Sequence, residues 1–405
     1  MTAMNKVAPR FLTISGQSKG YYIFLLVLTI VTLAGAYAAH YMESHGHVVT
    51  GMNNQVVWGM PHVFAIFLIV AASGALNIAS MGSVFGQQEY KTMGRLSGLV
   101  AIALLLGGLT ILVLDLGRPD RLIVAMTTYN FKSIFAWNIF LYTGFLGIVA
   151  VYLWMMFEPR MNRYSSSVGK FAFAWRFMLT TGTGSIFGFL VARQAYDAAI
   201  MAPMFILMSL SLGTAVFLIV LNIVAKCTHR ELEDATVNRV KRLLALFVMA
   251  VLYFVLVFNL TNLYATEHHG VEYYVLANGG VITVLFWLGQ IALGSILPLV
   301  LFYAPAFNHR KWAMAGCVLV ILGGFAQLYV LIIGGQSYPL DIFPGLDVIA
   351  SSFQDGEIAH YAPSFPELML GLGGISLALL VITIGVRILP FLPEKFHLSD
   401  KYSAS

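Results

Sequence analysis

The chain has 405 residues, of which 59% are hydrophobic and only 10% are charged. Soluble domains carry about 25% charged residues, so this composition excludes an ordinary soluble enzyme and predicts an all-α polytopic membrane protein. The net charge of +5 indicates topology and contact with anionic membrane lipids, not nucleic-acid binding.

Apolar stretches of about 20 residues, the length that crosses a bilayer, recur from one end of the sequence to the other. The fifth stretch is the least apolar, because it contains Arg176 and the run T-T-G-T-G-S at 180–185. We expect a transmembrane domain at 21–392 with a long outer loop at 334–367, flanked by cytoplasmic segments at 1–20 and 393–405. Ten transmembrane helices are predicted: Tyr21–Tyr41, Met60–Phe85, Leu96–Leu116, Ile134–Phe157, Ala172–Arg193, Pro203–Ala225, Leu243–Tyr264, Val281–Phe302, Trp312–Ile333 and Leu368–Leu389.

A weak internal repeat relates spans that are four apart. The second and sixth spans begin near Pro61 and Pro203, and the fourth and eighth carry Trp137 and Trp287 close to their starts. An offset of four spans preserves the direction of each helix. The repeat therefore predicts two parallel four-helix bundles with two flanking helices, an arrangement that both transporters and redox subunits use.

Lys and Arg residues are distributed unequally between the two sides of the predicted topology, with 18 on the side of the termini and 4 on the other. The positive-inside rule then places both termini in the cytoplasm. We expect a multi-pass protein of the prokaryotic cytoplasmic membrane. The exception to the charge pattern is the third loop, which is on the outer side and holds Arg118, Arg121 and Lys132.

The run L-D-L-G-R-P-D-R at 114–121 ends the third span. Charged groups at this depth are costly and tend to be functional, although a short loop can also simply tolerate arginines that reach lipid phosphates. Polar residues at the same depth come from other spans. Together they suggest a pocket for a quinone, because the quinone carbonyls need hydrogen-bond donors and the oxidation of a quinol releases protons. We expect Asp115 and His62 to handle the protons. The predicted quinone-binding residues are Arg118, Arg121, Trp137, Asn138, Asn259 and Tyr264. We expect Arg118 to hold Asp115.

Histidines also suggest haem ligation as an alternative. His40 and His62 are the candidate ligands near the membrane, and both lie at the outer rim. A single haem on the outer side therefore remains an alternative. The two cysteines, Cys227 and Cys317, are far apart and form no C-x-x-C motif. We therefore expect no iron–sulfur cluster and no metal site in this chain.

The inner half of the fifth span contains Arg176, Thr180 and Thr183. These side chains could line a proton path from the cytoplasm toward the outer cluster. Alternatively, the hydroxyl groups bond to their own helix backbone and the glycines pack helices, which we slightly favour.

The run L-D-L-G-R-P-D-R, followed by S-I-F-A-W-N at the start of the next span, resembles the NrfD/PsrC family of polysulfide-reductase-type membrane subunits. The ten spans, together with G-G-Q-S-Y-P-L-D-I-F-P-G at 334–345, are similar to the larger members and most like the DsrP type of the sulfite-reduction-associated DsrMKJOP complex. In that comparison Asp115, Arg118 and Arg121 match the family's run, and Trp137 and Asn138 match its following span.

The resemblance implies a subunit that exchanges electrons between menaquinone or ubiquinone and a ferredoxin-like iron–sulfur subunit on the periplasmic side, in sulfur-compound metabolism. It implies further cytochrome, membrane or cytoplasmic redox subunits, and no redox cofactor in this chain. The second hypothesis is an ion- or proton-translocating module. The aromatic, acidic ninth loop could dock a partner or cover the protein's own outer surface.

Overall fold

The computed structural model describes residues 10–340, 356–394 and 396. The protein is an all-α polytopic membrane protein. Nine helices in the described residues are long and apolar enough to cross a membrane: α1 Lys19–His45, α2 Met60–Ser83, α3 Tyr90–Leu114, α4 Ile134–Phe157, α6 Met201–Cys227, α7 Asp234–Tyr264, α8 Val281–Tyr303, α9 Arg310–Ser337 and α10 Phe365–Ile388.

The predicted fifth span corresponds to α5, Ser165–Gly188, which is 24 residues long but less apolar than the other nine. It begins earlier than predicted and ends before Arg193, because the chain turns at Phe189. A two-stranded pairing of β1 (Phe11–Leu12) with β2 (Leu392–Pro393) holds the two ends of the chain together. This pairing requires an even number of crossings and so supports α5 as a further one, but ten remains a prediction.

The helices form two groups of four with two helices at the side. In the first group α2 packs on α3, α3 packs on α4, α4 packs on α5, and α5 packs back on α2. In the second group α6 packs on α7 and α9, and α8 packs on α9 and α7. α1 packs on α10, and α10 packs on α2 and α3. This arrangement agrees with the predicted pair of four-helix bundles and two flanking helices.

The two groups meet where α2 crosses α6. A β-carbon added to Gly74 would overlap the carbonyl oxygen of Ser209, and one added to Gly213 would overlap the backbone nitrogen of Ala75. Glycine therefore lets the two backbones touch. As a result α2 is buried throughout its apolar stretch, and it forms the centre of the molecule.

Short helices and turns connect the long helices at the end of the molecule opposite the chain termini, which we call the outer end. The segment Leu122–Thr127 is a helix after α3, and His269–Leu276 is a helix between α7 and α8. Two stretches of the long helices are π-helical, Leu285–Ile296 in α8 and Val330–Gly334 in α9. Of the predicted outer loop 334–367, residues 341–355 lie outside the described residues, and with them most of the predicted aromatic and acidic docking segment.

Candidate functional site

His62 lies in the first turn of α2, where Pro61 starts the helix after the extended residue Gly59. The indole of Trp58 stacks on the imidazole, with ring centroids 5.0 Å apart and an angle of 10° between the planes. The Nε2 atom of His62 is buried and has no hydrogen-bond partner among the described residues. A buried ring nitrogen without a partner is available to a ligand that carries a carbonyl or a hydroxyl group.

Trp58 is fixed in place by polar contacts to its backbone. Gln336 at the end of α9 accepts hydrogen bonds from the backbone N–H groups of Val57 (3.0 Å) and Trp58 (2.9 Å), and it donates to the Trp58 carbonyl oxygen (3.0 Å). Arg193 donates to the carbonyl oxygens of Gln336 (2.9 Å) and Gln55 (2.8 Å). The platform beneath His62 is therefore rigid. The sequence prediction missed Trp58 and Gln336, because the contact joins residues 278 positions apart.

Asp115 is the C-cap residue of α3, one position beyond the membrane-spanning helix. The residue is partly buried, but its Oδ1 atom is out of contact with solvent and has no partner among the described residues. Burial raises the pKa of Asp115 to about 7, and the nearby Glu367 carboxylate acts on this pKa in the same direction. A carboxyl group of this kind can take up or release a proton near neutral pH.

Asp115 and His62 lie toward the same end of two neighbouring helices. Helices α2 and α3 run antiparallel, and Gly108 of α3 lies against Ala65 of α2, since a β-carbon added there would be 2.9 Å from the Ala65 carbonyl oxygen. Asp115 lies seven residues further along α3, about 10 Å nearer the outer end, and His62 lies three residues before Ala65 on α2, about 5 Å nearer that end. Both residues therefore lie near the same end of the first bundle, and their action as a proton-handling pair stays a prediction.

Glu367 completes this region, and the sequence analysis did not assign it to the site. Its carboxylate is fully buried and accepts hydrogen bonds from Tyr361 Oη (2.6 Å) and from the backbone N–H groups of Gly51 (2.8 Å) and Ser364 (2.7 Å). Tyr361 Oη in turn accepts from the backbone N–H of Met60 at 2.6 Å. The capping sequence S-F-P-E, in which Glu367 caps α10, was the available signal.

Arg118 does not hold Asp115, contrary to the expectation from the sequence. Its guanidinium pairs with Asp120, with both nitrogen–oxygen distances at 3.1 Å, and both side chains are exposed. The reason is local: Arg118 and Asp120 lie on the same side of a 3-10 turn outside the helix. Arg121 is also exposed in this loop. The two arginines therefore lie on the exposed surface of the loop that follows α3, beyond Asp115.

Trp137 and Asn138 begin α4 and face different surroundings. Asn138 is buried, its Nδ2 donates to the carbonyl oxygens of Ile134 (2.9 Å) and Gly182 (3.0 Å), and its Oδ1 has no partner among the described residues. Trp137 is half exposed and donates to the Phe131 carbonyl oxygen at 2.9 Å. The buried amide belongs to the bundle interior, and the indole belongs to its outer rim.

Asn259 and Tyr264 lie on α7 in the second bundle, so the structure does not bring them together with His62. Tyr264 is 91% exposed. Asn259 donates to the carbonyl oxygen of Val255 in its own helix (2.7 Å) and lines a separate cavity. Equal depth in the membrane placed both residues in the predicted pocket, but depth alone does not determine which bundle a helix joins.

The residues of the predicted proton path are buried in α5. Arg176 bonds to the Asn77 side chain and to the Ser73 carbonyl oxygen. Thr180 donates to the Arg176 carbonyl oxygen and Thr183 to that of Leu179, both at 2.9 Å within the helix. These bonds follow the pattern of hydroxyl groups bonded to their own backbone. The path itself stays a prediction.

No group of three or more His, Cys, Asp or Glu side chains that could hold a metal ion occurs within the described part of the chain. The arrangement at the outer end of the first bundle combines an aromatic platform with a buried imidazole nitrogen of His62 and a buried carboxyl oxygen of Asp115. It can hold the polar head of an apolar ligand and exchange protons with it.

Residues 48–339 match the sequence profile of the family described as "Polysulphide reductase, NrfD". The chain is 28% identical to the Hdr-like menaquinol oxidoreductase integral membrane subunit of Archaeoglobus fulgidus, over 96% of this chain and 98% of that protein. It is 22% identical to the integral membrane subunit of menaquinone reductase from Nitratidesulfovibrio vulgaris, over 91% of each chain. It is 25% identical to the protein NrfD of Escherichia coli, over 69% of this chain and 95% of that protein.

Proposed function

The chain belongs to the NrfD family, and on that premise we propose that it is the quinone-interacting integral membrane subunit of a multi-subunit respiratory oxidoreductase. The names of two relatives, a menaquinol oxidoreductase subunit and a menaquinone reductase subunit, support this proposal and favour menaquinone as the substrate. The subunit passes electrons between the quinone pool and a partner that holds the redox centres.

The observation that carries the proposal is that two buried atoms near the same end of the first bundle, His62 Nε2 and Asp115 Oδ1, have no hydrogen-bond partner among the described residues. In the quinol-oxidising direction, two O–H bonds of the quinol break, two protons leave and two electrons pass to the partner. His62 and Asp115 each receive one proton, and Trp58 packs against the ring. In the reducing direction the same groups donate protons.

The partner that takes or supplies the electrons is a ferredoxin-like iron–sulfur subunit on the periplasmic face. The third loop supports this part of the proposal, because it presents Arg118 and Arg121 beside exposed apolar side chains such as Ile123 (69% exposed) and Phe131 (72%). Exposed apolar groups rimmed by charges are typical of protein contacts. We propose the DsrP type of complex, with cytochrome and further redox subunits and a role in sulfur-compound metabolism.

The proposed location is a prokaryotic cytoplasmic membrane with both termini in the cytoplasm. The Lys and Arg distribution supports this orientation. The β1–β2 pair supports a common side for the two ends of the chain.

The test is quinol-linked electron transfer in the assembled complex carrying Asp115→Asn or His62→Phe. We expect a loss of at least about a hundredfold, the usual contribution of a positioned proton acceptor, with subunit content unchanged. The matched controls are Glu43→Gln and His45→Gln, which alter exposed side chains on the outer end of α1 and should leave the rate unchanged. Wild-type rates in D115N and H62F would refute the proposed site.

A further inference from the structure

The second bundle contains a cavity of about 50 Å³ that the proposed function does not use. It lies between α7, the short helix His269–Leu276, α8 and α9, near the outer end of the bundle. Most of the lining is apolar. The polar side chains that face it are one carboxyl group and four amides: Asn259, Asn262, Glu272, Gln290 and Gln327.

Two of these side chains are incompletely satisfied. Glu272 is 3% exposed, and its Oε1 accepts a hydrogen bond from Asn262 Nδ2 at 2.8 Å, but its Oε2 has no partner among the described residues. Gln327 is 7% exposed, and its Nε2 likewise has no partner among the described residues. A free acceptor and a free donor on one small cavity are costly unless something inside it bonds to both.

The volume of the cavity limits which molecules can occupy it. A water molecule needs about 10–15 Å³ of such space, so the cavity holds a few waters. Ligand sites for drug-sized molecules begin at about 300 Å³, and this cavity is therefore too small for a quinone headgroup. Water both donates and accepts, which matches the free Glu272 oxygen and the free Gln327 nitrogen.

The helices around the cavity are distorted on the side that carries the amides. Gln290 lies within the π-helical stretch of α8, and Gln327 lies one turn before the π-helical stretch of α9. Such stretches occur frequently at functional sites. Gln290 and Gln327 also line a second, smaller cavity of about 20 Å³ that reaches Ser211 and Ser295. The polar lining thus continues from Glu272 toward the middle of the bundle.

We propose that this cavity is a hydrated proton-binding site in which Glu272 takes up and releases a proton. A proton moves from a cavity water to Glu272 Oε2, where an O–H bond forms and the carboxylate becomes a neutral acid. The reverse step returns the proton to water. Gln327 holds the water, and Gln290 and the two serines extend the hydrated lining inward.

Glu272 titrates without a charged neighbour in the cavity wall, because it is the one ionisable side chain among the described residues that line it. Burial raises the pKa of Glu272 to about 7, and the Asn262 hydrogen bond partly opposes this shift. The ionisable groups on the elements packed around it are Arg193, Tyr196, Glu267, His268, Tyr274, Tyr329 and Tyr338. Arg193, Tyr196 and His268 are engaged with backbone carbonyl oxygens elsewhere.

The experiment is infrared difference spectroscopy of the full-length chain in lipid vesicles, titrated between acid and alkaline pH. In a chain that also carries Asp115→Asn, which removes the other acid of raised pKa, we expect a protonated carboxyl band that disappears on alkalinisation with a midpoint near neutral pH. Glu272→Gln should remove this band. Glu267→Gln is the matched control, since it removes an acid of the same turn whose side chain is 78% exposed, and it should leave the band unchanged.

A second variant and a change of buffer cation test the proposal if the Glu272→Gln variant does not fold. Gln327→Leu retains the carboxyl group and removes the water contact, so the midpoint should move to higher pH by about one unit. Replacing potassium with sodium in the buffer should have no effect. A saturable loss of the band in sodium would identify a cation site instead. No band that depends on Glu272, or no shift in Q327L, would overturn the proposal.

Discussion

Two carboxyl groups, the fully buried Glu367 and the partly buried Asp115, lie close together at the outer end of the first bundle, but their surroundings differ. Glu367 accepts three hydrogen bonds, which compensate a carboxylate for the loss of water. Asp115 has an oxygen with no partner among the described residues, and Glu367 is its charged neighbour. Asp115 is therefore the less well-bonded acid, and Glu367 fixes the helix starts around it.

This difference predicts how stability depends on pH. The folded-state pKa of Asp115 is raised from 3.8 to about 7, so the folded state binds the proton more tightly than the unfolded state. The wild-type protein should lose stability as pH rises from about 4 through 7. Asp115→Asn removes this loss. The midpoint of thermal unfolding of D115N, relative to wild type, should rise by at least about 2 °C between pH 5 and pH 8.

Thermal unfolding of the full chain in detergent at several pH values measures this effect. Glu43→Gln, an exposed acid at the same end, should show no pH-dependent difference from wild type. A constant offset between D115N and wild type at every pH would contradict the assignment of the raised pKa to Asp115.

At the scale of helices, the close crossing of α2 and α6 joins the two bundles. Gly74 and Gly213 bring the backbones into contact, so neither position has room for a side chain. Hydrophobic attraction is weak between helices surrounded by lipid, and packing of this kind is a main source of their association. The crossing therefore decides the position of α2, and with it the position of His62.

Gly213→Ala tests this crossing, because the added methyl group would overlap backbone atoms of α2. We expect the free energy of unfolding to fall by about 3 kcal/mol or more. Gly147→Ala on α4 is the control, since nothing lies within 4 Å of a β-carbon there, and it should be neutral or slightly stabilising. Unfolding in increasing denaturing detergent compares the two variants. Equal stabilities would show that the crossing is not tightly packed.

At the scale of the whole molecule, two four-helix bundles carry two different polar regions. The first contains His62, Asp115 and Glu367 at its outer end, and the second contains Glu272 and its amides. The β1–β2 pair and the contacts of Arg95 with the carbonyl oxygens of Pro390 and Met156 close the opposite end. The chain termini are thus held at one end of the molecule, and the two polar regions lie toward the other end.

This architecture predicts that α5 crosses the membrane. A cysteine introduced at Ser166, in the first turn of α5, should be labelled from the cytoplasmic side, and one introduced at Asp197, after α5, from the periplasmic side. A background with Cys227→Ser removes the exposed native thiol, and Cys317 is buried. Labelling with a membrane-impermeant thiol reagent in intact and permeabilised cells gives the side of each position. If both positions were labelled from the same side, α5 would not cross.

The sequence by itself determined the fold class, the positions of nine membrane-spanning helices and the family, because hydrophobic length and the L-G-R-P run are local signals. It also proposed Asp115 and His62 as a pair, since a polar group at the rim of an apolar helix is conspicuous, and their role stays a prediction. Only the tertiary structure shows that Asn259 and Tyr264 lie apart from that pair and that Arg118 pairs with Asp120. It also adds Trp58, Glu367 and the Glu272 cavity. Depth in a membrane can be read along the chain, but the neighbours of a side chain depend on how distant helices pack.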